Sequence, residues 1–240
     1  MRCFDIHTHI LPGVDDGSDS MDTTRELLKL QLKEGVTDII ATSHYDTRRN
    51  RQDYDHIMEL TREVQEEAKK LDSELKIYSG AEILYSRGVL DDIKDGKVPM
   101  IAGTECCLVE FYPSQSFNEI EEALNNIIML GKTPIIAHLE RYQCFIGKID
   151  LVRDVVKLGA YVQINSNSFL EGMFSKNARF IKKLLVNDLI HFVGSDCHDM
   201  VSRKPQMEKT YKYIAKVAGE DVAERITVTN PEKIVSGEYL

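Results

Sequence analysis

The stretch CFDIHTHILPGVDDG, residues 3–17, connects the fold of this chain with its chemistry. A short apolar run of strand length comes first, and His7 and His9 stand at its end. Side chains two residues apart project from the same side of a β-strand, so the two histidines should point the same way. Two convergent imidazoles at the end of a strand predict a metal site there.

The same unit, an apolar run followed by an amphipathic run, recurs along the chain. Seven runs have the length and composition of buried strands, at residues 3–6, 36–41, 75–78, 107–109, 134–137, 161–164 and 190–193. Five helical patterns lie between them, at residues 21–34, 54–71, 117–130, 151–158 and 176–186. Alternating strands and helices predict an α/β fold, and the length of 240 residues predicts one domain over residues 1–240.

Residues of the types that bind metal stand at the ends of six of the seven predicted strands. They are His7 and His9, His44, Glu82, Glu110, His138, and the pair Asp196 and His198, while Asp16 lies in the loop after the first strand. Strand spacing alone suits a closed barrel or an open doubly wound sheet. A barrel brings these side chains together over its mouth, whereas an open sheet spreads them along an edge, so the pattern favours the barrel.

Each of these residues, taken alone, has an ordinary structural interpretation. A lone histidine at a strand end is usually a satisfied polar residue, and a lone glutamate there is typical of a helix amino terminus. The argument for a site is coincidence, because five of the seven histidines stand at strand ends. The other two, His56 on a predicted helix and His191 at a strand start, are assigned to structure.

Nine imidazole and carboxylate candidates exceed the ligand capacity of one ion, so we expect two or three divalent ions. This ligand mixture suits zinc, manganese or iron, and magnesium less well. Three such ions together with Arg141 would outweigh the four carboxylates and leave the cleft positive, which favours phosphate esters as substrates. Clustered ions would also lower the pKa of a bound water towards about 7 and supply hydroxide.

Composition excludes several other classes of protein. The chain carries a net charge of −9 and no long basic run, which argues against a nucleic-acid partner. No apolar stretch approaches the roughly 18 residues of a membrane span, and no signal-peptide core is visible. The five cysteines form no disulfide framework, so we expect free thiols and a cytoplasmic location. The oligomeric state stays open.

Six motifs in order, DIHTHILPGVDDG, TSH, GAE, VEF, AHLERY and GSDCH, resemble the polymerase-and-histidinol-phosphatase (PHP) superfamily. LPGVDDG and the HLERY run resemble in particular its bacterial protein-tyrosine phosphatase branch, which acts in capsular and exopolysaccharide synthesis. The resemblance covers nearly the whole chain, from Asp5 to about Pro231. It implies a distorted, TIM-like barrel of seven βα units that holds three metal ions, often manganese.

The resemblance also implies a role for each position. The first metal would be held by His7, His9, Glu82 and Asp196, the second by Glu82, Glu110 and His138, and the third by Asp16, His44 and His198. Arg141 would bind the substrate phosphate. An aspartate at position 16, where many superfamily members have histidine, is the pattern of the tyrosine phosphatase branch and counts against histidinol phosphate as substrate.

We therefore expect hydrolysis of phosphotyrosine by metal-activated hydroxide, with direct transfer to water. By the resemblance, the substrate would be the tyrosine cluster at the tail of a membrane-associated autokinase, so that the chain meets the membrane only through its substrate. A small-molecule phosphatase of the same superfamily, acting on histidinol phosphate or a sugar phosphate, is the nearest alternative. A metal-dependent amidohydrolase would require a bridging lysine, and no lysine stands at the end of a predicted strand. A metal-stabilised, non-catalytic scaffold in polysaccharide assembly stays open.

A second motif points to a different mechanism. Residues 197–203 fit the C-x5-R spacing of cysteine-dependent tyrosine phosphatases. Such a thiol needs a tight loop of backbone N–H groups and a low pKa, and this loop contains no glycine. We interpret the spacing as chance and expect Cys197 to point away from the site. Asp199 and Tyr142 are weak candidates for a general acid.

Overall fold

The computed structural model describes residues 2–172 and 175–240, and in these residues nine strands form two parallel sheets. The strands are β1 (Cys3–Thr8), β2 (Val36–Ala41), β3 (His44–Tyr45), β4 (Lys76–Ser79), β5 (Glu82–Leu84), β6 (Cys106–Glu110), β7 (Thr133–Ile136), β8 (Tyr161–Asn165) and β9 (Phe192–Gly194). One sheet has the order β1-β2-β4, and the other has the order β3-β5-β6-β7-β8-β9. Every strand pair is parallel, as the βα alternation predicts.

The sequence predicts seven uninterrupted strands, and the difference lies in the second and third. Thr42 and Ser43 separate β2 from β3, and a two-residue break likewise separates β4 from β5. The backbone N–H of Glu82 lies within 3.2 Å of the carbonyl oxygens of both residues in the first break. Since a strand-ladder amide normally has one acceptor, this shared bond marks the interruption of the ladder. The register is the same on both sides of the breaks, because Ala41 pairs with Ser79 and His44 pairs with Glu82.

The outer strands of the two sheets approach each other. The Asp196 N–H donates to the His7 carbonyl at 2.8 Å, and the His9 N–H donates to the Cys197 carbonyl at 3.0 Å. An isolated parallel bridge joins Thr8 and Cys197. The result is an α/β fold with a curled parallel sheet.

Nine α-helices accompany the strands in the described residues. They are α1 (Met21–Lys33), α2 (Tyr54–Leu71), α3 (Arg87–Lys94), α4 (Phe117–Met129), α5 (Ile149–Lys157), α6 (Lys176–Val186), α7 (Met207–Ala218), α8 (Glu220–Glu224) and α9 (Asn230–Ser236). The five predicted helices are present, with ends within two residues of those expected. The sequence analysis missed α3, which is a single short helix, and α7 to α9, which follow the last strand and lie outside the alternation. No helix in the described residues is long and apolar enough to cross a membrane.

Two apolar clusters hold the fold together. The larger one joins strands to the surrounding helices. The smaller one takes residues from both sheets, Phe4, Ile6, Ile40, Cys106, Leu108, Ile135 and Phe192, together with Ile101, Ala137 and Ile234. Because the smaller cluster is shared, burial of its side chains binds the two sheets to each other.

Candidate metal centre

All nine predicted ligands lie close together at the carboxyl ends of the strands. Three overlapping groups have potential ligand atoms within 4.8 Å of one another: His7, His9, Glu82 and Asp196; His9, Asp16, His44 and His198; and His44, Glu82 and Glu110. The first group matches the set that the resemblance implies for the first metal. His138 lies beside the third group, with its Nε2 2.7 Å from Glu82 Oε1 and 3.7 Å from Glu110 Oε1.

The loop after β1 orients its own histidines. His9 and His7 approach to 3.3 Å between their Nε2 atoms. Asp15, which the sequence analysis did not select, accepts hydrogen bonds from His9 Nδ1 at 2.8 Å and from the His44 backbone N–H at 2.9 Å. A Cβ at Gly17 would lie 2.2 Å from the His9 carbonyl oxygen, so only glycine fits there. Asp15 and Gly17 of the Asp-Asp-Gly run therefore hold His9 in place. Asp16, which lies between them, is the candidate ligand.

Two candidate ligands have strained backbones. His138 and Asp196 have φ values of 33° and 54°, in the left-handed region that residues with a Cβ rarely adopt. A short 3₁₀ turn, Leu139–Arg141, follows His138 directly and brings Arg141 back over the cluster. Strain of this kind persists where surrounding contacts enforce it, and it concentrates at functional sites.

Electrostatic coupling within the cluster is strong. Glu82 is buried, which opposes ionisation, but contacts with His7, His138 and His44 outweigh burial and hold the pKa of Glu82 well below its usual range. Burial also opposes protonation of His9, yet the hydrogen bond to Asp15 and the nearby carboxylate of Glu82 raise the pKa of His9 to about 10.

The neighbouring carboxylate behaves in the opposite way. Burial and the negative charge of Glu82 raise the pKa of Glu110 to about 7. Two carboxylates this close need added positive charge if both are to be ionised at neutral pH. A bound cation would supply that charge.

Buried atoms without partners provide a test of whether these residues suit metal ions. Within the described residues, Glu82 Oε2 and His198 Nε2 are buried and have no hydrogen bond. Glu82 Oε2 does lie 3.2 Å from the Nε2 atoms of His7 and His9, but without hydrogen-bond geometry. Buried polar atoms seldom stay unpaired. Since both belong to the groups of converging N and O donors, the donor set fits divalent metal ions.

Two arginines border the cluster. Arg141 donates to Asp196 Oδ2 at 2.7 Å, and Arg203 donates to Asp196 Oδ1 at 2.8 Å. Both guanidinium groups are partly exposed, so their remaining N–H groups can reach a ligand. The sequence analysis selected Arg141 but passed over Arg203, whose only signal was the C-x5-R spacing that we set aside.

The cysteine of the C-x5-R spacing lies away from the site. Cys197 is fully buried in the larger apolar cluster, and burial raises the pKa of its thiol to about 12. A thiol of that kind is not a nucleophile at neutral pH. The two histidines that the sequence analysis assigned to structure lie outside the cluster. His56 is exposed on α2, and His191 Nδ1 accepts a hydrogen bond from the Val162 N–H at 3.1 Å.

Neither weak candidate for a general acid is suited to the task. Tyr142 is buried, its hydroxyl donates to the Ala137 carbonyl at 2.9 Å, and burial holds its pKa well above the usual value. Hydrogen bonds from Ser202 and neighbouring backbone groups lower the pKa of Asp199 to about 2. At neutral pH the first keeps its proton and the second has none to give.

A cavity of about 260 Å³ opens beside the cluster. Its walls include the candidate ligands Asp16, His44 and Glu110, while Leu84 and Arg49 contribute an apolar and a basic side chain. Arg49 belongs to a short basic run, residues 48–51, that follows His44 in the sequence. The cavity therefore provides space next to the cluster for part of a ligand.

The fold and the site together define a class: an α/β protein with a curled parallel sheet and a histidine–carboxylate cluster able to bind metal. The family model described as "Capsular polysaccharide synthesis, CpsB/CapC" matches residues 3–236. This chain belongs to the CpsB/CapC family.

Relatives in sequence and structure agree with this membership. The tyrosine-protein phosphatase CpsB of Streptococcus pneumoniae is 36% identical over 241 residues, covering 98% of this chain and 99% of that protein. The tyrosine-protein phosphatase YwqE of Bacillus subtilis is 29% identical over 224 residues, covering 93% and 88%.

Solved structures extend the comparison. A structure from the study of YwqE of B. subtilis and CpsB of S. pneumoniae, described as metal-dependent tyrosine phosphatases, superposes with a TM-score of 0.89. It is 26% identical and covers 99% of this chain and 96% of the other. The phosphotriesterase homology protein of Escherichia coli, 16% identical with a TM-score of 0.56 over 95% of this chain and 97% of its own, is similar in fold alone.

Proposed function

We propose that this chain is a metal-dependent protein-tyrosine phosphatase of polysaccharide synthesis, and that its substrate is a phosphotyrosine-bearing autokinase. The observation that carries the proposal is the convergence of nine imidazole and carboxylate side chains and two arginines at one end of the sheet. The activity of the CpsB and YwqE relatives supports it.

The cluster would hold two or three divalent ions, with manganese as the leading candidate. We assign His7, His9, Glu82 and Asp196 to the first ion, Glu82, Glu110 and His138 to the second, and Asp16, His44 and His198 to the third. His9 and His44 each lie in two of the observed groups, so either could also serve a neighbouring ion. When bound, such ions supply Lewis acidity towards phosphoryl oxygens and an activated water.

The arginines would bind the phosphate. A guanidinium group presents N–H donors in a planar fork that matches phosphate oxygens, and Arg141 and Arg203 approach from either side of Asp196. Asp196 holds both side chains in place by accepting one hydrogen bond from each. The substrate ring would enter the adjacent cavity, where Leu84 offers apolar contact and Arg49 would contact acidic residues of the substrate.

The leaving group places a modest demand on the enzyme. Tyrosinate has a conjugate acid of pKa about 10, so it departs with less protonation than an alkoxide requires. Because Cys197 is buried with a raised pKa, the phosphoryl group passes directly to water without a covalent enzyme intermediate.

We also propose that the fold is a distorted, closed barrel of seven βα units forming a single domain over residues 1–240. Counting β2 with β3, and β4 with β5, as two interrupted strands leaves seven. The hydrogen bonds between the ends of β1 and β9 would close the ring. The family match over residues 3–236 supports one domain. We place the protein in the cytoplasm, where it would meet the membrane only through its autokinase substrate.

The proposal is tested by phosphate release from a phosphotyrosine peptide with manganese present. We expect activity that chelation removes and manganese restores, and that Arg141→Ala lowers at least about 100-fold, since a charged hydrogen bond to phosphate is lost. Histidinol phosphate should be turned over far more slowly than the peptide. Faster turnover of histidinol phosphate would indicate a small-molecule phosphatase, and metal binding without any hydrolysis would indicate a scaffold.

A further inference from the structure

One strand end lacks a candidate ligand and bears two amides instead. Gln163 and Asn165 on β8 stand two residues apart, and both are buried. Residues with this spacing project from the same side of a strand. A buried amide is costly unless its donor and acceptor atoms are both satisfied, so the partners of these two side chains are informative.

A single backbone group sets the direction of the hydrogen bonds that these two amide side chains make. The His138 backbone N–H, which can only donate, lies 2.7 Å from Gln163 Oε1. Gln163 Nε2 therefore faces Asn165 Oδ1, at 2.8 Å, and donates to it. This leaves Asn165 Nδ2 to donate to Asp196 Oδ2, at 2.9 Å. The chain His138, Gln163, Asn165, Asp196 has one consistent polarity.

The same oxygen also determines the tautomer of a candidate ligand. His7 Nδ1 lies 3.3 Å from Gln163 Oε1, which is an acceptor, so Nδ1 carries the proton. In neutral His7 the lone pair is then on Nε2, the atom that faces Glu82 and Asp196. Fixing the second ring nitrogen in this way is how proteins orient metal-binding histidines.

The backbone next to this relay leaves room for it. A Cβ at Gly194 would lie 2.5 Å from His7 Cβ and 3.1 Å from Gln163 Nε2. Glycine is therefore required where β9 passes the two side chains. The hydrogen bond from Asn165 to Asp196 Oδ2 leaves Oδ1 facing His7, at 3.6 Å.

We infer that Gln163 and Asn165 are positioning residues that orient His7 and Asp196 for metal binding. This inference rests on the metal site proposed above but not on the reaction. The amides suit the role because they donate and accept together, do not titrate, and compete weakly for metal. The relay also connects two strained ligand positions, since His138 starts it and Asp196 ends it.

The test is manganese affinity measured by calorimetry on protein stripped of metal and then titrated. Gln163→Met and Asn165→Leu remove the polar atoms with little change of size, and Gln163→Glu keeps the acceptor for His138 and His7. Asn230→Leu is the matched control, because Asn230 is also a buried amide, bonded to the His191 carbonyl outside the cluster. The thermal transition of each variant is recorded without metal.

We expect Gln163→Met and Asn165→Leu to weaken manganese binding about 10- to 100-fold, and Gln163→Glu to recover most of the loss shown by Gln163→Met. The control should stay within about twofold of the parent. The inference is overturned if both variants bind as the parent does, or if Asn230→Leu loses as much affinity as Asn165→Leu. Failure to hydrolyse phosphotyrosine would leave these affinities measurable, so the two proposals can fail separately.

Discussion

The two ends of the sheet contrast sharply although the same strands build them. On β1, Phe4 and Ile6 belong to the apolar cluster shared by the two sheets, whereas His7 belongs to the histidine–carboxylate cluster. On β6, Leu108 is apolar and Glu110, two residues on, is a candidate ligand. The apolar end depends on volume and area, which many arrangements satisfy. The polar end depends on the direction of individual lone pairs, so we expect it to tolerate far less change.

The largest effect should come from the polar end. His138→Ala removes a candidate ligand 2.7 Å from Glu82, and loss of Lewis-acid stabilisation worth several kcal/mol should lower kcat about 1,000-fold or more. The melting transition should stay cooperative. His56→Ala, on the exposed face of α2, serves as the control and should leave kcat unchanged. If His138→Ala and His56→Ala had equal kcat, the assignment of His138 to the site would be wrong.

A change at the apolar end should affect stability and spare the chemistry. Phe192 is fully buried in the cluster shared by the two sheets, so Phe192→Ala should lower the free energy of unfolding by about 3–5 kcal/mol. Urea denaturation followed by circular dichroism measures the loss. Below the transition, kcat should stay within a few fold of the parent. A large fall in kcat with little loss of stability would show that the two ends are not independent.

A smaller effect is expected at a residue that lies between the two regions. Cys197 separates Asp196 from His198 in sequence, but its thiol is buried in the apolar core. Cys197→Ala should reduce kcat less than about tenfold and stability by about 1–2 kcal/mol, because a small apolar contact is lost. Peptide hydrolysis and urea denaturation are the measurements. A loss above 100-fold in a folded variant would revive the cysteine mechanism.

The smallest effect concerns pH and lies outside both regions. Burial lowers the pKa of His191 to about 4, while an unfolded histidine titrates near 6.5. Between these values the unfolded chain binds more protons, so the contribution of His191 to stability falls as the pH drops from about 6.5 to 4. His191→Asn keeps an acceptor for the Val162 N–H and should lose less stability over this interval. Parallel acid dependence in the two proteins, measured by urea denaturation, would contradict this.

Local patterns predicted a large part of the fold. Helices α2 and α6 and strand β2 have the predicted bounds, and the other predicted elements differ at their ends by one or two residues. The breaks after β2 and β4, and the short strands β3 and β5 beyond them, were missed because they depend on backbone pairing between neighbouring strands. Helix α3 lies within the alternation but was missed because it is short, and the last three helices were missed because they follow the last strand, outside the alternation.

The candidate site divides in the same way. The candidate ligands could be predicted from the sequence because they lie at strand ends or, for Asp16, in the loop that follows one. Their convergence followed from the parallel pairing of the strands. Asp15 was adjacent to a selected residue but had no pattern of its own. Arg203 reaches Asp196 from a loop, and no local periodicity shows where a loop side chain will point.

By itself, the sequence determined the α/β class, the strand ends that carry imidazole and carboxylate groups, and the family motifs, because each depends on short-range spacing. Only the tertiary structure decided which ligand meets which, that two arginines share Asp196, and that the amides of β8 connect His138 to Asp196. Three of these five contacts join residues at least 25 positions apart in the chain. They depend on strand register, backbone strain and the space left by Gly194, and a linear pattern contains none of these.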